Sequence, residues 1–179
     1  MIRRLTPALL AAAALLAAPA LAQLQPPPPP PEAMTQAQPF LMAAGQSDVY
    51  EITSSQIALN RSQNPAVKRY ATELIGHHTM TTNNALKAAK AGGVTPPPPV
   101  LDAGNRALIS ELENAPAGDF DRLYIGQQVP AHQGALALQT AYSQGGDVAP
   151  LRAAAKGALP YIKQHLAQAQ AMQKKMMAM

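Results

Sequence analysis

The stretch from Asn64 to Val94, NPAVKRYATELIGHHTMTTNNALKAAKAGGV, decides how the chain is to be read. Asn64 is a good N-cap, and Pro65 suits the first helical position, where its missing N–H costs nothing. The residues that follow repeat at the three-and-four spacing of one helix face: Val67, Ala71, Leu74, His78, Thr81, Ala85 and Ala88. Gly92 and Gly93 can take the left-handed backbone angles that close a helix. The segment is therefore a long amphipathic helix, with His78 on its apolar stripe and His77 beside it.

Working outward, the same pattern recurs. A first helix is predicted over Phe40–Arg61, with the stripe Leu41, Ala44, Asp48, Glu51, Ser55 and Ala58. After the rigid TPPPPV segment, a short helix is predicted over Asp102–Asn114, turning Leu108 and Leu112 inward. A third long helix spans Asp119–Ser143 and carries Phe120, Tyr124, Gln127 and Ala131 beside Asp121, Ile125, Gln128, His132, Ala135 and Gln139. The fourth spans Val148–Met172, with Leu151, Ala155, Ala158, Ile162, His165, Ala169 and Met172 on one face. Pro130 and Pro160 fall inside these last two helices, where a bend is expected because the ring crowds the carbonyl four residues back. Short turns after the first and third long helices make antiparallel hairpins, and the longer connection between the second and third can cross the bundle. The expected fold is all-α: a ferritin-like four-helix bundle with one long crossover holding a short extra helix.

Composition agrees. Aromatic residues make up 4% of the 179-residue chain and tryptophan is absent, while alanine, the best helix former, is abundant. The formal net charge is +4, but Arg3 and Arg4 supply two of those charges. No Lys/Arg stripe with interleaved aromatics exists, so nucleic acid is not an expected partner.

The first residues read as an address. MIRRLTPALLAAAALLAAPALAQ has a basic start, an apolar stretch from Ala8 to Ala18, and Ala20 and Ala22 in the A-x-A cleavage pattern. Residues 1–22 are thus expected to be a signal peptide cut before Gln23, giving a periplasmic or secreted protein whose mature chain has no transmembrane segment. The chain has no cysteine, so packing rather than disulfides must stabilise it. Pro26–Pro31 is a polyproline II spacer, and residues 23–38 are expected to be a disordered linker. The bundle is expected over residues 39–173, with 174–179 a frayed tail. In that tail Met172, Met176, Met177 and Met179 could hold soft Cu(I), but a fraying helix end with adaptable apolar side chains is the better explanation.

The chemistry concentrates in the ionisable residues on the stripes. Each long helix carries at least one near mid-length on or beside its apolar face: Glu51, His78, Asp121 with His132, and His165. Burying such a group is costly unless it is paired or bound to metal. The first reading is a hydrogen-bonded polar network that fixes helix register, in a non-enzymatic envelope protein. The second is a metal-binding or redox site using Glu51, His78, His132 and His165, with Tyr124, Asp121 and His77 around them. Imidazole and carboxylate suit zinc, iron or copper. The Glu-x-x-His pairs of di-iron carboxylate bundles are absent, since Ile75 and Ile162 stand three residues before His78 and His165, so one mononuclear ion is expected. Asp121 also suits the positive start of its helix, and His77 a place on the rim. No nucleophile elbow, phosphate loop or H-E-x-x-H motif appears.

Glu51, the NPAVK turn, His78, Phe120-Asp121 with Tyr124, the Val129–Gln133 stretch and Leu159-Pro160 with His165 together resemble the bacterial domain-of-unknown-function family 4142. The likeness covers about residues 38–173. It implies an exported, ferritin-like bundle of the bacterial envelope and no particular activity; a stress-related role and protein or envelope partners are expectations of the non-enzymatic reading. Family members have Asp before the histidine at the position of His78; here that neighbour is His77.

Overall fold

The computed structural model describes residues 24–178. A single 3-10 turn, Pro31–Met34, leads into five helices: α1 (Ala37–Arg61), α2 (Pro65–Ala91), α3 (Ala103–Asn114), α4 (Phe120–Gly145) and α5 (Ala149–Met177). The four long ones form the bundle. Each packs on two others in a closed ring, α1 against α2 and α4, and α5 against α2 and α4. The short loops Ser62–Asn64 and Gly146–Val148 make the two hairpins antiparallel. The crossover of residues 92–119 returns the chain to the opposite end of the bundle and lays α3 along α1 and α4.

The local chemistry follows the sequence. The Asn64 side chain accepts a 2.9 Å hydrogen bond from the Ala66 amide, and Gly93 closes α2 at φ +68°, in the left-handed region. Asp102 caps α3 by accepting from the Asn105 amide at 2.7 Å. The end of α3 is tied down by Arg61, whose guanidinium donates to the carbonyls of Leu112, Glu113 and Ala115 and lies over the Phe120 ring. α4 and α5 run unbroken through Pro130 and Pro160.

Three apolar clusters hold the bundle, one at each end and a third, Tyr50, Leu108, Ile109 and Ala131, where α3 lies against α1 and α4. At the α1–α2 turn lie Ala58, Val67, Tyr70, Leu74, Phe120 and Tyr124. At the other end lie Phe40, Leu41, Ala89, Leu138, Tyr142 and Leu151. The buried ionisable residues Glu51, His78, His132 and His165 come from the middle of the four long helices, between the two end clusters. Burial of large apolar side chains at about 1.5–3 kcal/mol each holds both ends together and fixes the level at which the middles meet.

Two boundaries differ from expectation. The disordered linker predicted for residues 23–38 stops short: α1 starts at Ala37, and Ala33 and Ala37 are buried in the second cluster. Thr35 adds a 2.9 Å backbone hydrogen bond from Asp147, so this segment pins the turn between α4 and α5. Small apolar side chains let it lie flush on the bundle. At the other end α5 extends to Met177, with Met172 and Met176 packed against the first cluster, so the frayed tail predicted for 174–179 is largely helical. The predicted signal peptide lies outside the described residues. Among the described residues no helix is long and apolar enough to cross a membrane.

The α4–α5 turn offers a test of how tightly the hairpin is set. A Cβ on Gly146 would lie 2.5 Å from the Tyr142 ring. That ring cannot retreat: it stacks on Phe40 at 3.9 Å and its hydroxyl donates to Asp147. Gly146→Ala is therefore expected to destabilise the domain by about 1–3 kcal/mol, the usual penalty of overpacking, as a lowered thermal midpoint. An unchanged midpoint would refute this.

Candidate metal centre

Three imidazoles meet at the bundle axis. His78 comes from α2, His132 from α4 and His165 from α5, with ring centroids 5.7 Å (His78–His132), 5.5 Å (His78–His165) and 5.2 Å (His132–His165) apart. One ring nitrogen of each lies within 4.8 Å of one from each of the others. All three are buried, at 5%, 1% and 1% exposure.

Each ring is held from behind through its other nitrogen. His78 Nδ1 donates to Asp48 Oδ1 at 2.7 Å, and Asp48 Oδ2 accepts from Thr82 at 2.5 Å. His132 Nδ1 donates to the Gln128 carbonyl one turn back, at 2.9 Å. His165 Nε2 shares a 2.8 Å hydrogen bond with His77 Nδ1, and the two rings stack at 5.1 Å. The remaining nitrogens, His78 Nε2, His132 Nε2 and His165 Nδ1, are buried and have no hydrogen-bond partner. A carboxylate or carbonyl acceptor at Nδ1 places the proton there, so Nε2 of His78 and His132 carries the lone pair.

The surroundings set the charge states. Burial, with the charge of His78 second, lowers the His132 pKa to about 3. Burial and then the neighbouring histidines lower that of His165 to about 2. Burial also pushes His78 down, but its hydrogen bond to Asp48 and the charges of Asp48 and Glu51 outweigh this, and the net shift is upward. Burial raises Glu51 to about 7 against the lowering pull of His78 and the Gln128 amide.

Of the residues expected at the site, His78, His132 and His165 converge. Glu51 does not join them: it sits behind His132, with Oε1 3.7 Å from the nitrogen that already faces Gln128. Tyr124 bonds Ser55 at 2.9 Å and packs in the first cluster. Asp121 lies in the first turn of α4, eleven residues and so about 16 Å along the helix from His132, where a carboxylate complements the helix dipole. His77, expected on the rim, is only partly exposed and orients His165. Asp48 was on the predicted stripe of α1, three residues before Glu51, and the sequence reading gave it no role; a carboxylate on an inward face was its signal. A cavity of about 20 Å³, room for about one water, adjoins the site and is lined in part by Asp48, His77, His78, Thr81, Gln139 and His165.

A four-helix bundle with a buried three-histidine cluster between two apolar ends is the class the fold and site define. The chain belongs to the family described as Domain of unknown function (DUF4142), whose model matches residues 22–172. No curated protein matches it. Among solved structures it is similar to a DUF305 fragment from Deinococcus radiodurans, at 17% identity and TM-score 0.67, covering 83% of this chain and 99% of that one. It is equally similar to CopM in the Cu(II)-bound form, at 16% identity and TM-score 0.67, covering 78% of this chain and 97% of that one. At these identities the likeness is one of fold.

Proposed function

We infer that this bundle holds a single transition-metal ion, copper in preference to zinc or iron, through His78 Nε2, His132 Nε2 and His165 Nδ1. One observation carries the reading: all three rings spend one nitrogen on an outer partner and leave the other buried and unpartnered in a common cluster. Left so, each such nitrogen costs about 1–3 kcal/mol, and buried polar groups in native proteins are rarely left unpaired. Outer hydrogen bonds of this kind are what orient metal-binding histidines. A purely structural network, the first reading of the sequence, would pair these nitrogens with one another or with protein groups. Imidazole donors suit copper as they suit zinc and iron, and copper is preferred because a protein of similar fold, CopM, is known in a Cu(II)-bound form. The small adjoining cavity leaves a fourth position for one water. The N-terminal address supports a role in the bacterial envelope, and we read that role as holding metal rather than turning over a substrate.

Elemental analysis of the untagged protein purified from its native envelope tests this. About one copper per chain, absent from a His78→Ala/His165→Ala variant, is the expected result. A folded native protein without metal would return the histidines to a structural role.

Asp48 gives a graded check. Asp48→Asn keeps the shape but removes the charge that fixes the His78 tautomer and strengthens its donor nitrogen. Copper affinity is expected to fall about 10–100-fold, read by competitive titration against a chelator. Unchanged affinity would mean that the charge of Asp48 does not tune the site through His78.

A further inference from the structure

Ligands this deeply buried need a route for their ion, and the structure offers one on the α2–α5 face. Glu73, His77 and His165 form a second group whose ligand atoms lie within 4.8 Å of one another. His77 Nδ1 is 2.8 Å from His165 Nε2 and 3.9 Å from Glu73 Oε1. Unlike the inner trio, Glu73 and His77 are each 28% exposed. Glu73 is held in place by two amides of α5, Gln164 donating to Oε1 at 2.5 Å and Gln168 to Oε2 at 3.1 Å. Tyr161 covers the His77 ring at 4.5 Å. The two groups share one member, His165, and the small cavity touches both through His77, His78 and His165.

We propose that Glu73, His77 and His165 form an outer metal site that receives a divalent copper ion from solvent and passes it inward through His165. This rests on the inner metal site argued above. The shared ring sets the order of events. A neutral imidazole has one lone pair and one N–H. While His165 Nε2 is a ligand of the outer site, its proton sits on Nδ1, and the inner trio lacks its third lone pair. When Nδ1 takes the ion, the proton has moved to Nε2, where it donates to His77 Nδ1. No net charge is gained or lost by the ring, and one His165 serves one ion at a time. A neutral His165 therefore does not complete both sites at once. The inner trio is closed off from solvent while Glu73 and His77 are partly exposed, so an ion that reaches the inner trio exchanges less readily with solvent, which gives the transfer its direction.

The test uses Cu(II) alone as the probe, on the full mature chain. Glu73→Gln is isosteric, and Glu73 is partly exposed and not itself a member of the inner trio. It is expected to take up one copper per chain, as the wild type does, but at least about tenfold more slowly in stopped-flow mixing. His132→Ala, which cripples the inner trio, is expected to retain a weaker ion with the spectrum of a mixed nitrogen and oxygen site, and His132→Ala/Glu73→Gln to lose it. His78→Ala serves in place of His132→Ala should that variant fail to fold. Loading of Glu73→Gln at the wild-type rate, or an ion retained by the double variant, would overturn the outer site while leaving the inner one standing. A wild-type chain that takes up no copper would remove both.

Discussion

Replacing His132 with alanine is expected to lower copper affinity by at least about a thousandfold, roughly 4 kcal/mol of binding free energy. The size follows from position. An outer partner of a metal-binding histidine is worth about 10–100-fold, and a ligand itself must be worth more, because the ion then keeps only two of three protein donors. His78→Ala is expected to behave likewise, since its ring presents the same kind of unpartnered buried nitrogen, and His165→Ala to lose more, because that ring belongs to both groups. Glu51→Gln is the informative contrast. Glu51 is as buried as His132, yet it stands behind that ring, 3.7 Å from the nitrogen that faces away from the cluster. Its substitution is expected to change affinity by less than about tenfold, below the range of a well-made outer hydrogen bond. Competitive titration of the four variants, with helical content checked by circular dichroism, separates ligands from neighbours. Equal losses at Glu51 and His132 would mean that the cluster is one polar network and that its response to metal is incidental.

That contrast also shows what the sequence could and could not reveal. The helices were legible because their ends are written in local chemistry. The Asn64-Pro65 start and the Gly92-Gly93 end bracket α2 as observed, Pro65–Ala91, and Asp102 marks the start of α3. The inward faces were legible too, since periodicity assigns a face residue by residue. Height along the bundle axis was not. Asp121 and His132 share a stripe on α4 but sit three turns apart, and only the packing of the two end clusters decides which of them meets His78. The same lack of register hid Asp48, whose role depends on α1 and α2 aligning it with His78 and Thr82. His77 lies off the α2 stripe and looked like a rim residue. It gains its partner from α5, the neighbour that completes the ring of helices. The start of the bundle was misjudged for a different reason: the proline run masked the small apolar residues after it, whose burial depends on the distant α4–α5 turn.

The metal-free domain is expected to lose stability steeply as pH falls, with a slope set by the site itself. His132 and His165 have folded-state pKa values of about 3 and about 2, below the ordinary histidine value of 6.5. A lowered histidine pKa means that the unfolded chain takes up protons the folded one refuses. Stability is therefore intact above about 6.5 and is lost as pH drops toward 3. Glu51 acts in the opposite sense. Its pKa is raised from 4.5 to about 7, so between those values the folded state holds a proton that the unfolded state releases, and falling pH favours folding. His78 is raised, so below 6.5 it is protonated in both states and adds no slope. Between about 4.5 and 6.5, two histidines against one carboxylate leave a net of one proton, or about 1.4 kcal/mol lost per pH unit. Below 4.5 Glu51 is protonated in both states, and the slope doubles until His132 begins to titrate. Against a typical total of 5–15 kcal/mol, two pH units in the upper window are a substantial loss. Glu51→Gln removes the opposing group and is expected to show the doubled slope already between 4.5 and 6.5. Urea unfolding of both proteins at half-unit pH steps, in chelator, reads the two slopes. The common background of surface carboxylates cancels in their difference. Equal slopes would mean that Glu51 is ionised in the folded state at these pH values, and that the carboxyl behind His132 stands as a charge beside the cluster rather than as a neutral acid.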